Sequence, residues 1–173
     1  MSSLEDSIRS EMWRIRHQIQ DGDDSDLALW VIPQALACSQ RPLRDHPRFV
    51  QKGRSPKPLP PEARLLVVNW VTRIKTELGI RSIICLLDNS QLERHYIRGG
   101  LNLDGAGLLG YYESQGLVVK HIPTTDYVRP ADREMAEALE AYNELPKPVL
   151  LHCSAAIDRT TPVAAFIQRK TTR

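Results

Sequence analysis

The sequence predicts an α/β domain with a central, mainly parallel sheet flanked by helices, and three observations predict it. Segments with apolar residues at helical spacing alternate with short β-branched and aliphatic runs, the pattern of parallel strands joined by helical crossovers. The runs at 80–87 and 148–152 are largely apolar, as in strands buried within a sheet. Three polar loops, 88–100, 123–130 and 153–159, each follow a predicted strand, and in such sheets ligands sit beyond the carboxyl ends of the strands.

The totals set the class. A chain of 173 residues suits one domain with a real core. With 42% hydrophobic and 25% charged residues it reads as an ordinary globular protein. A net charge of +2 gives no field that argues for nucleic acid, and no partner of that kind is expected. Three cysteines make no disulfide framework and suit a reducing compartment. No leader-like apolar block opens the chain and no stretch is long enough to span a membrane, so a cytoplasmic location is expected.

Taken in order, residues 2–20 read as an amphipathic helix. Leu4, Ile8, Met12, Ile15 and Ile19 form the apolar stripe, and Ser2 with Glu5 forms the expected capping box. The helix and the acidic stretch 21–26 make an N-terminal segment, and residues 27–173 make the domain proper. That stripe packs on the chain's own domain or a partner, with a membrane surface as the alternative. Residues 27–33 read as a strand. Residues 41–61 hold six of the twelve prolines together with Arg44, Arg48, Lys52, Arg54 and Lys57. They predict a long irregular basic loop, which either recruits an anionic substrate or is a solvated surface; an SH3-type ligand is a third reading.

Pro61 starts the next helix, whose stripe is Leu66, Val67, Trp70, Val71, Ile74 and Leu78 and whose stop is Gly79. A strand at 80–87 follows, with Cys85 in the core. Residues 88–104 are polar and hold a short helical turn between loops. A helix over 108–115, a strand over 117–122 and a helix from about 131 come next. The last pair is a strand ending at His152 and a helix over 160–170.

Between that pair lies the stretch that carries chemistry: Leu151-His152-Cys153-Ser154-Ala155-Ala156-Ile157-Asp158-Arg159-Thr160-Thr161. A strand, a tight loop and a helix N-terminus form an anion site, because unpaired backbone N–H groups and the helix dipole face the loop. Cys153 stands at the start of that cradle, where its thiolate can act as a nucleophile, and Arg159 at its end can fork two phosphate oxygens. The alternative is a buried structural cysteine beside an arginine paired with a carboxylate.

His152-Cys153-x5-Arg159-Thr160 resembles the signature of the cysteine-dependent tyrosine and dual-specificity phosphatases, and the resemblance extends over roughly residues 27–170. It implies their fold, four parallel strands plus an edge strand between helices. It implies Cys153 as nucleophile and a phosphate cradle of Ser154, Ala155, Ala156, Ile157, Asp158 and Arg159. Thr160 would stabilise the leaving thiolate, His152 would orient the loop, and Asp126, in Ile122-Pro123-x-x-Asp126-Tyr127, would be the general acid 27 residues before the cysteine. No metal and no cofactor is called for. The partner would be a phosphorylated protein or a small phosphate ester. Relatives carry further helix after the signature, whose place residues 2–20 would take unless the chain is cut short.

The sequence departs from the signature at two positions. Ala156 stands for the loop glycine and Thr161 for a glycine after Thr160. A left-handed backbone at Ala156 costs on the order of 1–2 kcal/mol. Asp158 is read as orienting Arg159, with a second acid as the alternative. Ile157 replaces a lysine found in several phosphoinositide phosphatases, which counts against selectivity for inositol polyphosphates. Cys38 is the one candidate resolving partner for Cys153. Two further function classes stay open: a catalytically impaired module that docks phosphorylated partners, and a sulfur-transfer enzyme of rhodanese type.

Overall fold

The computed structural model describes residues 3–172. In chain order the elements are α1 (Leu4–Gln20), β1 (Leu29–Ile32), β2 (Leu36–Ser39), a 3-10 turn (Pro61–Ala63), α2 (Arg64–Thr76), β3 (Ser82–Cys85) and α3 (Asn89–Tyr96). There follow α4 (Leu108–Ser114), β4 (Val118–His121), α5 (Asp132–Glu144), β5 (Val149–His152) and α6 (Thr160–Thr171). The strands form one sheet in the order β1-β2-β5-β3-β4. Four are parallel, and β1 lies antiparallel at the edge. This is the predicted α/β architecture.

Strand periodicity divides the core. Val149 and Leu151 of β5, Leu36 and Cys38 of β2, and Ile84 of β3 point to the layer formed by α1, α5 and α6. Leu150, Ala37, Ile83 and Cys85 point to the layer formed by α2, α3 and α4. Both faces of the central strands are therefore buried, which is why those runs carry apolar residues at successive positions. β4 is the other edge; its Val118 is exposed. Gly79, at φ +70, ends α2 in the left-handed conformation that glycine adopts at no steric cost.

Three local expectations are corrected. The N-cap of α1 is Ser3, which accepts from the Asp6 N–H, while the Asp6 carboxylate accepts from the Ser3 N–H. The predicted cap Ser2 lies outside the described residues. The strand expected over 27–33 covers Leu29–Ile32, and a second strand, β2, follows it and joins the parallel sheet beside β5. The short turn expected in 88–104 is an eight-residue helix, because Asp88 and Gln91 form a reciprocal capping box at its start.

The predicted stripe of α1 buries Ile8, Met12, Ile15 and Ile19 against α6 and β1. Arg16, on the same helix, is also buried and pairs through two bonds with the fully buried Asp45 (Nε–Oδ2 2.9 Å, Nη2–Oδ1 3.3 Å). Gln20 and Arg44 donate to the same carboxylate at 2.8 and 3.2 Å. The irregular segment 41–61 is thereby tied to α1. Among the described residues no helix is long and apolar enough to cross a membrane.

Removing one partner of a buried ion pair leaves the other charge uncompensated, at a cost of about 3–5 kcal/mol. Asp45→Ala, which strands Arg16, is expected to lower the unfolding free energy by that amount in urea titration. A loss below about 1 kcal/mol would show that this cluster behaves like a surface pair.

Candidate active site

The carboxyl ends of β5, β3 and β4 converge because these strands are neighbours in the sheet. Cys153 follows β5 directly and is 2% exposed. The loop that follows runs through buried Ser154, half-buried Ala155, buried Ala156 and Ile157, and exposed Asp158 to fully buried Arg159 and Thr160. Ala156 has φ +67, the left-handed conformation in which a Cβ is strained. Its methyl group is fully buried in the layer beneath α6, and that packing offsets part of the strain.

Arg159 is held by acceptors from separate segments. Its Nη1 donates to the Leu86 carbonyl after β3 (3.2 Å), to Gln91 Oε1 on α3 (2.8 Å) and to the Thr124 carbonyl after β4 (3.1 Å). Its Nη2 lies 3.2 Å from Asp126 Oδ1. Nε and Nη2 are buried and have no hydrogen-bond partner among the described residues. That pair of nitrogens is one side of the planar fork that matches two oxygens of a phosphate or carboxylate.

Gln91 is a residue that the sequence reading passed over. Its Oε1 accepts from Arg159 and, at 3.3 Å, from the Asp88 N–H, while its Nε2 donates to Asp126 Oδ2 at 2.9 Å. One amide thus joins the cap of α3, the guanidinium and the carboxylate. The spacing Asp88-x-x-Gln91 is the sequence signal that could have found it. Asp126 also accepts from the Tyr127 N–H at 2.9 Å and is partly exposed. The carboxylate against Arg159 is Asp126; Asp158, expected to orient the arginine, points to solvent. Asp132 and Glu134 stand in the first turn of α5, where Glu134 accepts from the Ala131 N–H.

Arg41, also missed, braces the loop from the end of β2. Its N–H donates to the Ser154 carbonyl at 2.8 Å, its Nε lies 3.3 Å from Ser154 Oγ, and its Nη1 lies 3.4 Å from the Tyr96 hydroxyl. Thr161 donates to the Ile157 carbonyl and is reached by Arg9 Nη2 of α1 at 3.3 Å. A glycine there could make neither contact. Thr160 Oγ1 is buried without a partner among the described residues. Cys38 and Cys85 are free and buried, and neither is bonded to Cys153. Burial pushes the Cys38 thiol far up and the Cys85 thiol up to about 12, so both are held as neutral thiols in the core.

His152 is fully buried between Tyr112, whose hydroxyl is 3.0 Å from Nε2, and the Cys153 carbonyl, 3.0 Å from Nδ1. Burial pushes its pKa down to about 4, and Tyr112 is raised well above its ordinary value by burial. The ring is therefore neutral. Nδ1–H donates to the Cys153 carbonyl and Nε2 accepts the tyrosine proton, which fixes the carbonyl at the start of the loop.

Solved structures place this architecture. Kinase-associated phosphatase, with serine replacing its catalytic-site cysteine, superimposes with a TM-score of 0.54 at 18% identity over 78% of this chain. The fold is that of the tyrosine and dual-specificity phosphatases. The match covers 65% of the kinase-associated phosphatase chain, so this chain spans just under two thirds of that protein. The active form of Tk-PTP gives a TM-score of 0.46 at 15% identity over 86% of each chain. At 18% identity the likeness to kinase-associated phosphatase is one of fold. No protein-family model matches the sequence, and no curated protein matches it.

The neutral His152 ring has a consequence for stability. The unfolded ring takes up a proton near its ordinary value of 6.5, whereas the folded ring does so only near 4. Between those values the unfolded state binds more protons, so stability falls as pH falls, by roughly 1 kcal/mol per pH unit from this residue. His95, pushed down to about 3 by burial, acts in the same direction. Urea midpoints are expected to drop steadily on acidification through this window, with a shallower slope in His152→Asn. An identical slope in the variant would show that His152 is not held neutral.

Proposed function

We propose that this chain is a cysteine-dependent phosphatase that hydrolyses phosphate monoesters without a metal, through a phosphocysteine intermediate. One observation supports this above the others. Arg159 is buried and anchored through Nη1, its Nε and Nη2 have no hydrogen-bond partner among the described residues beyond the ion pair of Nη2 with Asp126, and it closes the loop that begins at Cys153. Such an arrangement stabilises a phosphoryl group's equatorial oxygens, and in a site of low dielectric it does so strongly.

The Cys153 thiolate attacks phosphorus, forming the S–P bond as the P–O bond to the leaving group breaks. Asp126 protonates the departing oxygen. Water then attacks the phosphocysteine and gives a proton to Asp126. The S–P bond breaks, phosphate leaves and the thiolate is restored. Arg159 and the N–H groups of Ser154, Ala155, Ala156, Ile157 and Asp158 hold the oxygens, and the Thr160 hydroxyl stabilises sulfur as it leaves. Gln91 acts through others, by fixing Arg159 and Asp126 relative to each other. The substrate is a phosphorylated protein or a small phosphate ester.

A second reading, a module that binds phosphorylated partners without turnover, rests on Ala156. Its strained φ of +67 lies where close backbone approach to phosphate is needed.

Hydrolysis of an aryl phosphate in the presence of chelator separates the two. Wild type is expected to turn over, and Cys153→Ser to have no measurable rate. Asp126→Ala is expected to lose on the order of a hundredfold in kcat, and Gln91→Leu about tenfold. A wild type that binds vanadate but does not hydrolyse supports the binding module. Undiminished activity in Cys153→Ser rules out the phosphocysteine route.

A further inference from the structure

The segment 41–61 and the exposed side of α1 enclose a pocket of about 450 Å³ that the proposed chemistry does not use. Arg44, Lys52 and Arg54 line it, with Trp13 and Tyr127. No aspartate or glutamate is among its lining residues. Asp45 offsets part of the charge of Arg16 and Arg44, whereas Lys52 and Arg54 enter no ion pair among the described residues. Arg44 commits Nη1 to Asp45, and its buried Nε has no hydrogen-bond partner among the described residues.

Two connections join this pocket to the loop of Cys153. Tyr127, on one wall, directly follows Asp126, which faces Arg159 at 3.2 Å. It is 83% exposed and adopts φ +62, a conformation rare for a bulky residue. Arg44, on the other side, donates its N–H to the carbonyl of Arg41, whose own N–H holds Ser154. The pocket therefore opens beside the acid loop, within the same group of loops as the phosphate cradle.

We propose that this pocket is a second anion subsite and that the substrate class is a phosphate monoester carrying a second phosphate. The scissile phosphate lies over Cys153, and the second is held by Lys52, Arg54 and Arg44 beyond Tyr127. Ile157 leaves the cradle itself without an extra cation; the cations of segment 41–61 supply that charge from a different side. As an assignment of substrate the inference rests on the phosphatase reading; as an assignment of an anion site it does not. The second phosphate can come from a multiply phosphorylated peptide or from a small polyphosphorylated alcohol, and the same cations serve both.

Two matched pairs distinguish the sources. One is a phosphotyrosine peptide with and without a second phosphorylated residue nearby; the other is an inositol monophosphate and an inositol polyphosphate. In at least one pair, the multiply phosphorylated member is expected to exceed its monophosphate by about tenfold in kcat/KM, the worth of one charge-assisted contact. That pair names the source. The preference is expected to disappear in the double variant Lys52→Ser/Arg54→Ser and to shrink with added salt, with monophosphate hydrolysis unchanged. Equal kcat/KM within both pairs, or a preference that survives the double variant, overturns the proposal. If no monophosphate is hydrolysed, the phosphatase reading falls by itself, and the subsite is judged by binding of inorganic tripolyphosphate to Cys153→Ser protein. About tenfold weaker binding on adding Lys52→Ser/Arg54→Ser upholds it, and equal binding overturns it.

Discussion

Burying the guanidinium of Arg159 is the constraint on which the site depends. A cation removed from water is tolerated only when acceptors surround it. Here they come from the carbonyl after β3, the amide of Gln91 on α3, the carbonyl of Thr124 after β4 and the carboxylate of Asp126. They come from three separate segments: the turn after β3, the helix α3 and the loop after β4. Only a sheet in which β5, β3 and β4 are neighbours brings their carboxyl ends close enough for one side chain to reach all of them. The parallel topology and the position of the arginine are thus one requirement; among the described residues Nε has no hydrogen-bond partner and Nη2 has only the ion pair with Asp126, which leaves that edge of the fork with capacity for an anion.

The loop between Cys153 and Arg159 is braced from beneath and from both sides. Arg41 holds Ser154, Thr161 holds Ile157, and the neutral His152 fixes the Cys153 carbonyl. These contacts stabilise a left-handed Ala156, whose strain of about 1–2 kcal/mol no local preference would accept. The same logic extends outward through α1. Its Arg9 reaches Thr161, its Glu5 accepts from Arg129 of the acid loop, and its Arg16 is bonded to Asp45. Support for the site is spread over the chain from residue 5 to residue 161.

Much of this was legible in the sequence, and the omissions have physical causes. Buried parallel strands show as apolar runs, Gly79 marks a helix end, and Cys153-x5-Arg159 stands where a strand gives way to a helix. Ala156 could be identified as a strained position because the expected residue there was glycine. β2 escaped notice because four buried residues, Leu36-Ala37-Cys38-Ser39, show no period and carry no β-branched residue. Arg41 escaped because its partner is 113 residues away and no local pattern encodes that contact; for Gln91 the spacing from Asp88 marks a helix start, but nothing local points to Arg159, 68 residues on. Asp158 was assigned to Arg159 because it adjoins the arginine and a carboxylate turned toward a phosphate would repel it. Neighbours in sequence at a helix start diverge in direction, and the arginine turns inward to an acid 33 residues before it while Asp158 faces water.

The most direct test of the account is the affinity for tungstate, a tetrahedral oxyanion, of wild type and Arg159→Lys, measured by calorimetry with folding checked by circular dichroism. Lysine keeps the charge but removes the planar fork and cannot present Nε and Nη2 together. If the anchored guanidinium is what the site is built around, the variant stays folded and binds tungstate at least about tenfold more weakly. Equal affinity in the two proteins would contradict the account, because charge alone would then be enough and the fork held by Gln91 and the two carbonyls would have no role.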